Sequence, residues 1–127
     1  MDLTRIAVWE RKPYWVPELQ RTLDCATLKI SACRAEIDVE DRLASQFGQL
    51  VVVSQPEGVI PWRSMTTWIR RGVRVHLVLD RSRIQLRWCF SELGAASVFD
   101  FAQAQLSLAK TCQHCVDLIR PHSEATH

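Results

Sequence analysis

The sequence predicts a single α/β domain in which five β-strands alternate with five helices. Short apolar runs begin at positions 5, 27, 50, 73 and 96, so successive runs start 22 or 23 residues apart. This interval holds a strand, a helix of about three turns and a return loop, which is the unit that connects parallel strands. The run Leu50–Val53 is continuously apolar, as expected for a strand covered on both faces. We therefore expect a three-layer α/β/α domain with a five-stranded parallel sheet in the order 2-1-3-4-5.

The strands and helices follow from the hydrophobic periodicity of each segment. The five predicted strands are Arg5–Glu10, Thr27–Arg34, Leu50–Ser54, Val73–Asp80 and Ala96–Phe99. The first helix carries Val16, Leu19 and Leu23 on one face, with Pro17 in its first turn. The four later helices are predicted over Val39–Phe47, Pro61–Arg71, Arg83–Leu93 and Phe101–Arg120. Asp38 is placed to cap the second helix, whereas Met65 and Ile69, with Trp62 and Trp68, are candidates for the buried face of the third. Leu86, Cys89, Phe90 and Leu93 form the predicted apolar face of the fourth helix.

Helix ends are marked by glycine. Gly48, Gly72 and Gly94 each follow a predicted helix and precede a strand, where a left-handed conformation ends a helix. The domain is predicted over residues 1–120, and residues 121–127 are predicted to form a flexible tail after Pro121.

Composition excludes several classes of protein. The chain has 127 residues, a net charge of +2 and 47% hydrophobic residues, which is typical of one globular domain. Basic and acidic residues are interleaved, so we expect no nucleic-acid partner. The apolar runs are far shorter than the roughly 20 residues of a membrane span. No signal-peptide pattern opens the sequence, so we expect a cytoplasmic protein without a membrane partner.

The cysteine pattern favours reduced thiols. Five cysteines form an odd set, which argues against a disulfide framework. Cys112 and Cys115 have the C-x-x-C spacing, and a metal or redox site there remains an alternative. They also share a helical stripe with Phe101, Ala104 and Leu108, which predicts that both thiols pack in the core.

Polar residues follow the predicted strands. They include Glu10, Arg11, Ser54, Asp80 and Asp100. Because parallel strands end at the same edge of a sheet, these side chains are expected to share a crevice. A cation site made by Glu10, Asp80 and Asp100 is one interpretation. Capping of the neighbouring helices, or pairing with arginines, is the other, and we predict no bound metal.

Three segments resemble the receiver domain of bacterial response regulators. They are Arg5–Glu10 followed by Pro17–Leu19, the third-strand segment Gln49–Pro56, and the turn Glu92–Ala96. The resemblance covers most of the chain and implies a flavodoxin-like sheet. It also implies a phosphoacceptor position at Ser54 and an acidic position at Glu10, which Arg11 follows instead of a second acid.

The resemblance implies a receiver-like regulatory module that no longer accepts a phosphoryl group. A serine hydroxyl without an adjacent base is a poor replacement for a nucleophilic carboxylate. The pocket formed by Glu10, Arg11, Ser54, Asp80 and Asp100 would then be degenerate, with no cofactor and no enzymatic activity. The module would act through a protein partner or as a homodimer, and Ser107, Lys110 and Gln113 are the candidate contact residues.

A small-ligand protein of flavodoxin-like architecture is the alternative. Trp9, Trp15, Trp62 and Arg81 fall near the expected crevice. Rings there, beside Arg11, Lys12 and Arg63, could stack on a ligand while the cations hold its phosphate. The sequence lacks the glycine-rich loops that bind nucleotide phosphates. His76, inside the fourth strand, is expected to be a hydrogen-bonded structural residue.

Overall fold

The computed structural model of the protein describes residues 4–23, 28–43, 50–54 and 60–119. Five parallel strands form one sheet in the order β2-β1-β3-β4-β5, which confirms the predicted fold class and strand order. The strands are β1 (Thr4–Glu10), β2 (Leu28–Cys33), β3 (Leu50–Ser54), β4 (Arg74–Leu79) and β5 (Ser97–Asp100). The helices are α1 (Trp15–Thr22), α2 (Glu36–Leu43), α3 (Trp62–Arg70), α4 (Arg87–Leu93) and α5 (Phe101–Ile119), and a 3-10 helix spans Arg81–Leu86.

The helices cover both faces of the sheet. One core lies between the sheet and α1 and α5, and includes Trp15, Leu19 and Leu108. The other lies beneath α2, α3 and α4, and includes Val39, Met65 and Trp68. All five residues of β3 are buried, as its apolar sequence predicts. Among the described residues, no helix is both long and apolar enough to cross a membrane.

Two of the predicted helix-ending glycines adopt the conformation that their position requires. Gly72 and Gly94 have φ angles of +86° and +104°. An added Cβ at Gly94 would lie 3.0 Å from Cγ2 of Ile69, so this turn also packs closely against α3. Gly48 and the predicted tail lie outside the described residues.

The predicted second helix began too late in the chain. The structure starts α2 at Glu36, so Asp38 lies inside the first turn instead of before it. Its Oδ2 accepts hydrogen bonds from the amides of Arg34 and Ala35, at 3.0 and 3.2 Å. Asp38 therefore stabilises the beginning of α2 by accepting hydrogen bonds from amides that precede the helix. Residues 44–47 of the predicted helix lie outside the described residues.

The predicted fourth helix is two elements. Arg81–Leu86 forms the 3-10 helix, and α4 begins at Arg87. Phe90 is buried, but Leu86, Cys89 and Leu93 are exposed, so the predicted apolar face was wrong at these three positions. The short helix lies near the β5 edge of the sheet, where one aromatic side chain reaches the core.

The cysteines of α5 pack as predicted. Cys112 and Cys115 are buried free thiols, together with Ala104 and Leu108. Burial raises the pKa of Cys112 to about 12, and it also raises that of Cys115. Both thiols are therefore protonated at neutral pH and are poor nucleophiles. Phe101, the first predicted member of this stripe, is instead partly exposed at the end of the sheet.

A cleft at the carboxyl ends of β1 and β3

The carboxyl ends of β1 and β3 form the floor of a cleft of about 380 Å³. Glu10 and Ser54 are register partners on these adjacent strands, and both are buried. The seven lining residues are Glu10, Arg11, Lys12, Tyr14, Trp15, Ser54 and Phe101. The structure thus brings together three of the five residues of the predicted pocket, Glu10, Arg11 and Ser54.

The Glu10 carboxylate begins the first helix. Its Oε1 accepts hydrogen bonds from the amides of Tyr14 and Trp15, at 2.9 and 2.8 Å, and its Oε2 accepts one from Val16 at 3.0 Å. A helix begins with four amides that have no partner within the helix. Glu10 binds three of these amides, and the fourth position is Pro17, which has no N–H. The buried carboxylate, 6% exposed, therefore satisfies every orphan amide of the first turn of α1.

Asp80 is held within its own turn. Its carboxylate accepts hydrogen bonds from the Ser82 hydroxyl and the Arg83 guanidinium. These two contacts, the Ser82 bond first, lower the pKa of Asp80 below its usual value. Asp80 is therefore a charged group that anchors the 3-10 helix.

Asp100 begins the last helix. Its Oδ1 accepts a hydrogen bond from the amide of Gln103 at 2.7 Å, and the Gln103 side-chain oxygen accepts one from the amide of Asp100 at 3.1 Å. This reciprocal pair is a capping box. The structure thus agrees with the interpretation that the acidic side chains cap helices or pair with arginine: Glu10 and Asp100 cap α1 and α5, and Asp80 binds Arg83. Within the described part of the chain, no three His, Cys, Asp or Glu side chains are grouped to hold a metal ion.

Three aromatic rings form one wall of the cleft. Tyr14 lies 4.8 Å from Trp15 and 5.0 Å from Phe101, between ring centroids, and Trp15 lies 5.5 Å from Phe101. Gln105 donates a hydrogen bond to the Tyr14 hydroxyl at 3.0 Å, so the wall joins the beginnings of α1 and α5. The Trp15 indole N–H is buried without a hydrogen-bond partner among the described residues.

The other predicted crevice residues lie elsewhere. Of the described residues, Asp80, Asp100, Trp9, Trp62 and Arg81 do not line the cleft. Trp62 is 52% exposed on α3, where the Arg63 guanidinium lies 5.2 Å from its ring centre. The predicted pocket and ligand crevice therefore included residues that do not line the cleft.

The predicted site residues omitted two of the seven residues of the cleft. These are Tyr14 and Phe101. A sequence signal existed for Phe101, because the Asp100-x-x-Gln103 spacing marks a helix start and places Phe101 at the sheet edge. Its approach to Tyr14 joins segments far apart in the chain and has no local signal.

A second groove, of about 540 Å³, separates α1 from α5. Lys110 and Gln113, two of the predicted contact residues, border this groove, and Ser107 does not. Trp15 borders both the groove and the cleft. The predicted contact residues on α5 are thus divided between two surfaces.

His76 is a buried structural residue, as predicted. Its Nδ1 lies 2.6 Å from the Ser97 hydroxyl oxygen on the neighbouring strand β5. Its Nε2 has no hydrogen-bond partner in the part of the chain that the structure describes. Burial, and then the nearby Arg74 charge, lower the pKa of His76 to about 4, so the ring is neutral at pH 7.

No known family model matches this sequence, and no curated protein is significantly similar to it.

Proposed function

We propose that the protein is a receiver-like regulatory module that does not accept a phosphoryl group and acts through protein contacts in the cytoplasm. The observation that carries the proposal is the Glu10 carboxylate, whose two oxygens bind the three amides that begin α1. The proposal includes no enzymatic activity, no nucleic-acid partner and no membrane partner.

The chemistry of phosphoryl transfer supports the first part of the proposal. Transfer to a side chain requires an activated nucleophile and a positive group, usually a hard cation, that neutralises the negative charge of the phosphoryl oxygens. Ser54 supplies a hydroxyl, and Glu10 is the one carboxylate among the residues that line the cleft. Because Glu10 is engaged by amide donors, using it as a base or a cation ligand would break the start of α1.

Exposed apolar side chains support the second part. Leu106 on α5, which borders the groove between α1 and α5 together with Lys110, is 78% exposed, and Trp88 on α4 is 75% exposed. Tryptophan is enriched among the residues that contribute most to binding at protein interfaces, and exposed apolar patches mark interaction sites. We place the partner on the surface formed by α4 and the outer side of α5.

The lining of the cleft supports a second candidate, binding of a small anionic ligand that carries a planar ring. Arg11 and Lys12 bring two positive charges to the rim, and the three aromatic rings offer a stacking surface. Trp15, which borders the cleft, also carries a buried indole N–H that has no hydrogen-bond partner among the described residues.

Intact mass and melting temperature decide between the two candidates at the cleft. We expect no mass gain from acetyl phosphate with Mg²⁺, and no rise in melting temperature with Mg²⁺ and beryllofluoride. The Ser54→Asp variant should show no larger gain in mass or melting temperature than the wild type. Its new carboxylate still lacks a second acid to help hold Mg²⁺, because Glu10 is bound to the amides of α1. A gain of one phosphoryl group on the wild type contradicts the proposal. A rise in melting temperature with inorganic phosphate, FMN or ATP alone, lost in Lys12→Gln, would favour the ligand candidate.

Affinity capture from the source cells tests the contact surface. We expect Leu106→Glu and Trp88→Glu to lose a partner that the wild type retains, because each places a charge at the centre of an apolar contact. Lys29→Gln, an exposed change on β2 at the opposite edge of the sheet, makes the same change in charge and should retain it. Equal recovery with all four proteins contradicts the proposed surface.

A further inference from the structure

Helices α2 and α3 lie side by side on the sheet face opposite α1 and α5. The Glu40 carboxylate of α2 joins them, since its Oε1 accepts a hydrogen bond from the Trp68 indole at 2.6 Å and its Oε2 lies 3.5 Å from Nη1 of Arg71. Both helices connect parallel strands of one sheet, so they run in the same direction. Their outward sides form one continuous surface.

The two helices present opposite charges on this surface. On α2, Glu36 and Asp41 are exposed and flank Ile37, which is 66% exposed. Asp38, whose carboxylate accepts hydrogen bonds from the Arg34 and Ala35 amides directly after β2, lies on the side of α2 that is turned toward the end of β2. Arg42 and Asp38 are also the charges that affect the pKa of the Cys33 thiol on β2, so both are away from α3.

On α3 and directly after it, the exposed charged side chains are all arginines. They are Arg63, Arg70 and Arg71. The helix contains no acidic residue. The surface is therefore divided into an acidic stripe along α2 and a basic stripe along α3.

The charges on the two stripes are balanced. Glu36, Glu40 and Asp41 oppose the three arginines, so the surface as a whole is neutral. A neutral surface with an acidic stripe would repel the phosphates of a nucleic acid along half its width. An acidic stripe beside a basic stripe is instead complementary to the same surface on a second copy of the chain. The condition is that the acidic stripe of each copy meets the basic stripe of the other.

The direction of the helices selects one symmetry. A two-fold axis that runs parallel to α2 and α3, between them, places α2 of each copy on α3 of the other. A two-fold axis across the helices would place like charges on each other, which is unfavourable. Charge therefore permits the first arrangement and disfavours the second.

We propose that two copies of this chain pair through the surface formed by α2 and α3, about a two-fold axis parallel to these helices. A rotation about such an axis does not change the position of a residue along the helix direction, so each residue meets residues at the same height in the other copy. The Glu40 contacts with Trp68 and Arg71 place Asp41 at about the height of Arg70, given a rise of about 1.5 Å per residue. Asp41 of each copy then meets Arg70 of the other, and Ile37 packs near Thr67.

This dimer goes beyond the proposed function and does not rest on it. The surface lies on the other side of the sheet from α5 and does not include the cleft.

Paired charge-reversal variants in analytical ultracentrifugation test the proposal. We expect the wild type to dimerise at low salt, with an affinity at least tenfold lower at about 0.5 M NaCl, where exposed charges are screened. Glu36→Lys/Asp41→Lys makes both stripes basic, and Arg63→Glu/Arg70→Glu makes both acidic. Each variant alone should be monomeric, and an equimolar mixture of the two should form a one-to-one dimer.

The controls distinguish pairing through this surface from pairing through another part of the molecule. Arg81→Glu/Arg87→Glu makes the same change in net charge at exposed sites off the surface, and should dimerise like wild type. Circular dichroism checks that each variant folds.

A wild type that stays monomeric at about 1 mM in low salt overturns the proposal. Reversal variants that still dimerise alone, or that fail to pair when mixed, also overturn it. A monomeric wild type that binds a labelled oligonucleotide, with the binding lost in Arg63→Glu/Arg70→Glu, would assign the basic stripe to nucleic acid instead.

Discussion

Replacing Glu10 with alanine should lower the free energy of unfolding by about 3 kcal/mol. The substitution leaves the amides of Tyr14, Trp15 and Val16 without an acceptor, and the Trp15 amide is buried. A buried donor that loses its partner costs about 1–3 kcal/mol, and donors that water can reach cost less. The measurement is chemical denaturation of Glu10→Ala and the wild type, with the two midpoints compared at equal m-values.

Two further variants separate the cap from the general effect of removing an acid. Glu10→Gln keeps one carbonyl oxygen for the amides of Tyr14 and Trp15 but turns a donor toward the Val16 amide, so we expect a loss of about half the alanine value. Glu18→Gln removes a more exposed carboxylate of the same helix, which pairs with Arg21, and should cost at most about 0.5 kcal/mol. A Glu10→Ala protein as stable as Glu18→Gln would show that the amides of α1 do not depend on the carboxylate.

The sheet could be predicted because its signals are local. The strand predicted over Leu50–Ser54 from the apolar run Leu50–Val53 has the same bounds as β3 in the structure. The regular interval between strands leaves space for one helix in each connection, and this fixes the parallel layout. Gly72 and Gly94 mark two helix ends because their positive φ angles are costly for other residues.

The segment between β4 and β5 was predicted less well because its burial is set by the sheet. Leu86, Cys89, Phe90 and Leu93 have the spacing of a buried helical face. At the edge of the sheet there is less apolar surface to cover, so Phe90 is buried and the other three are exposed. Spacing shows which residues could be buried together, but the space available for them depends on the whole fold.

The candidate site could be predicted in its position but not in its contacts. Glu10 and Ser54 follow adjacent parallel strands, which places both at one edge. That Glu10 turns toward the amides of α1 depends on the path of residues 11–14. The aromatic wall depends on α5 beginning beside α1, which is a contact between residues 14 and 101.

The buried imidazole of His76 should make the protein lose stability in acid. In the unfolded chain its pKa is about 6.5, whereas in the folded protein burial and the charge of Arg74 lower it to about 4. Between these values the unfolded state binds a proton that the folded state does not. The His76 contribution is therefore fully present above about pH 6.5 and is lost as the pH falls toward 4, by about 3 kcal/mol in total.

The His76 effect can be isolated between pH 7 and 5, where most carboxylates stay ionised. We expect the free energy of unfolding of the wild type to fall by about 2 kcal/mol over this range. In His76→Asn, the amide can still bond to the Ser97 hydroxyl but does not titrate, so the decrease attributable to His76 should vanish. The variant will be less stable at pH 7, because the smaller side chain leaves a cavity, but its stability should depend less on pH. If the two proteins have the same pH dependence over this range, the folded protein accommodates a protonated His76, and the low pKa is wrong.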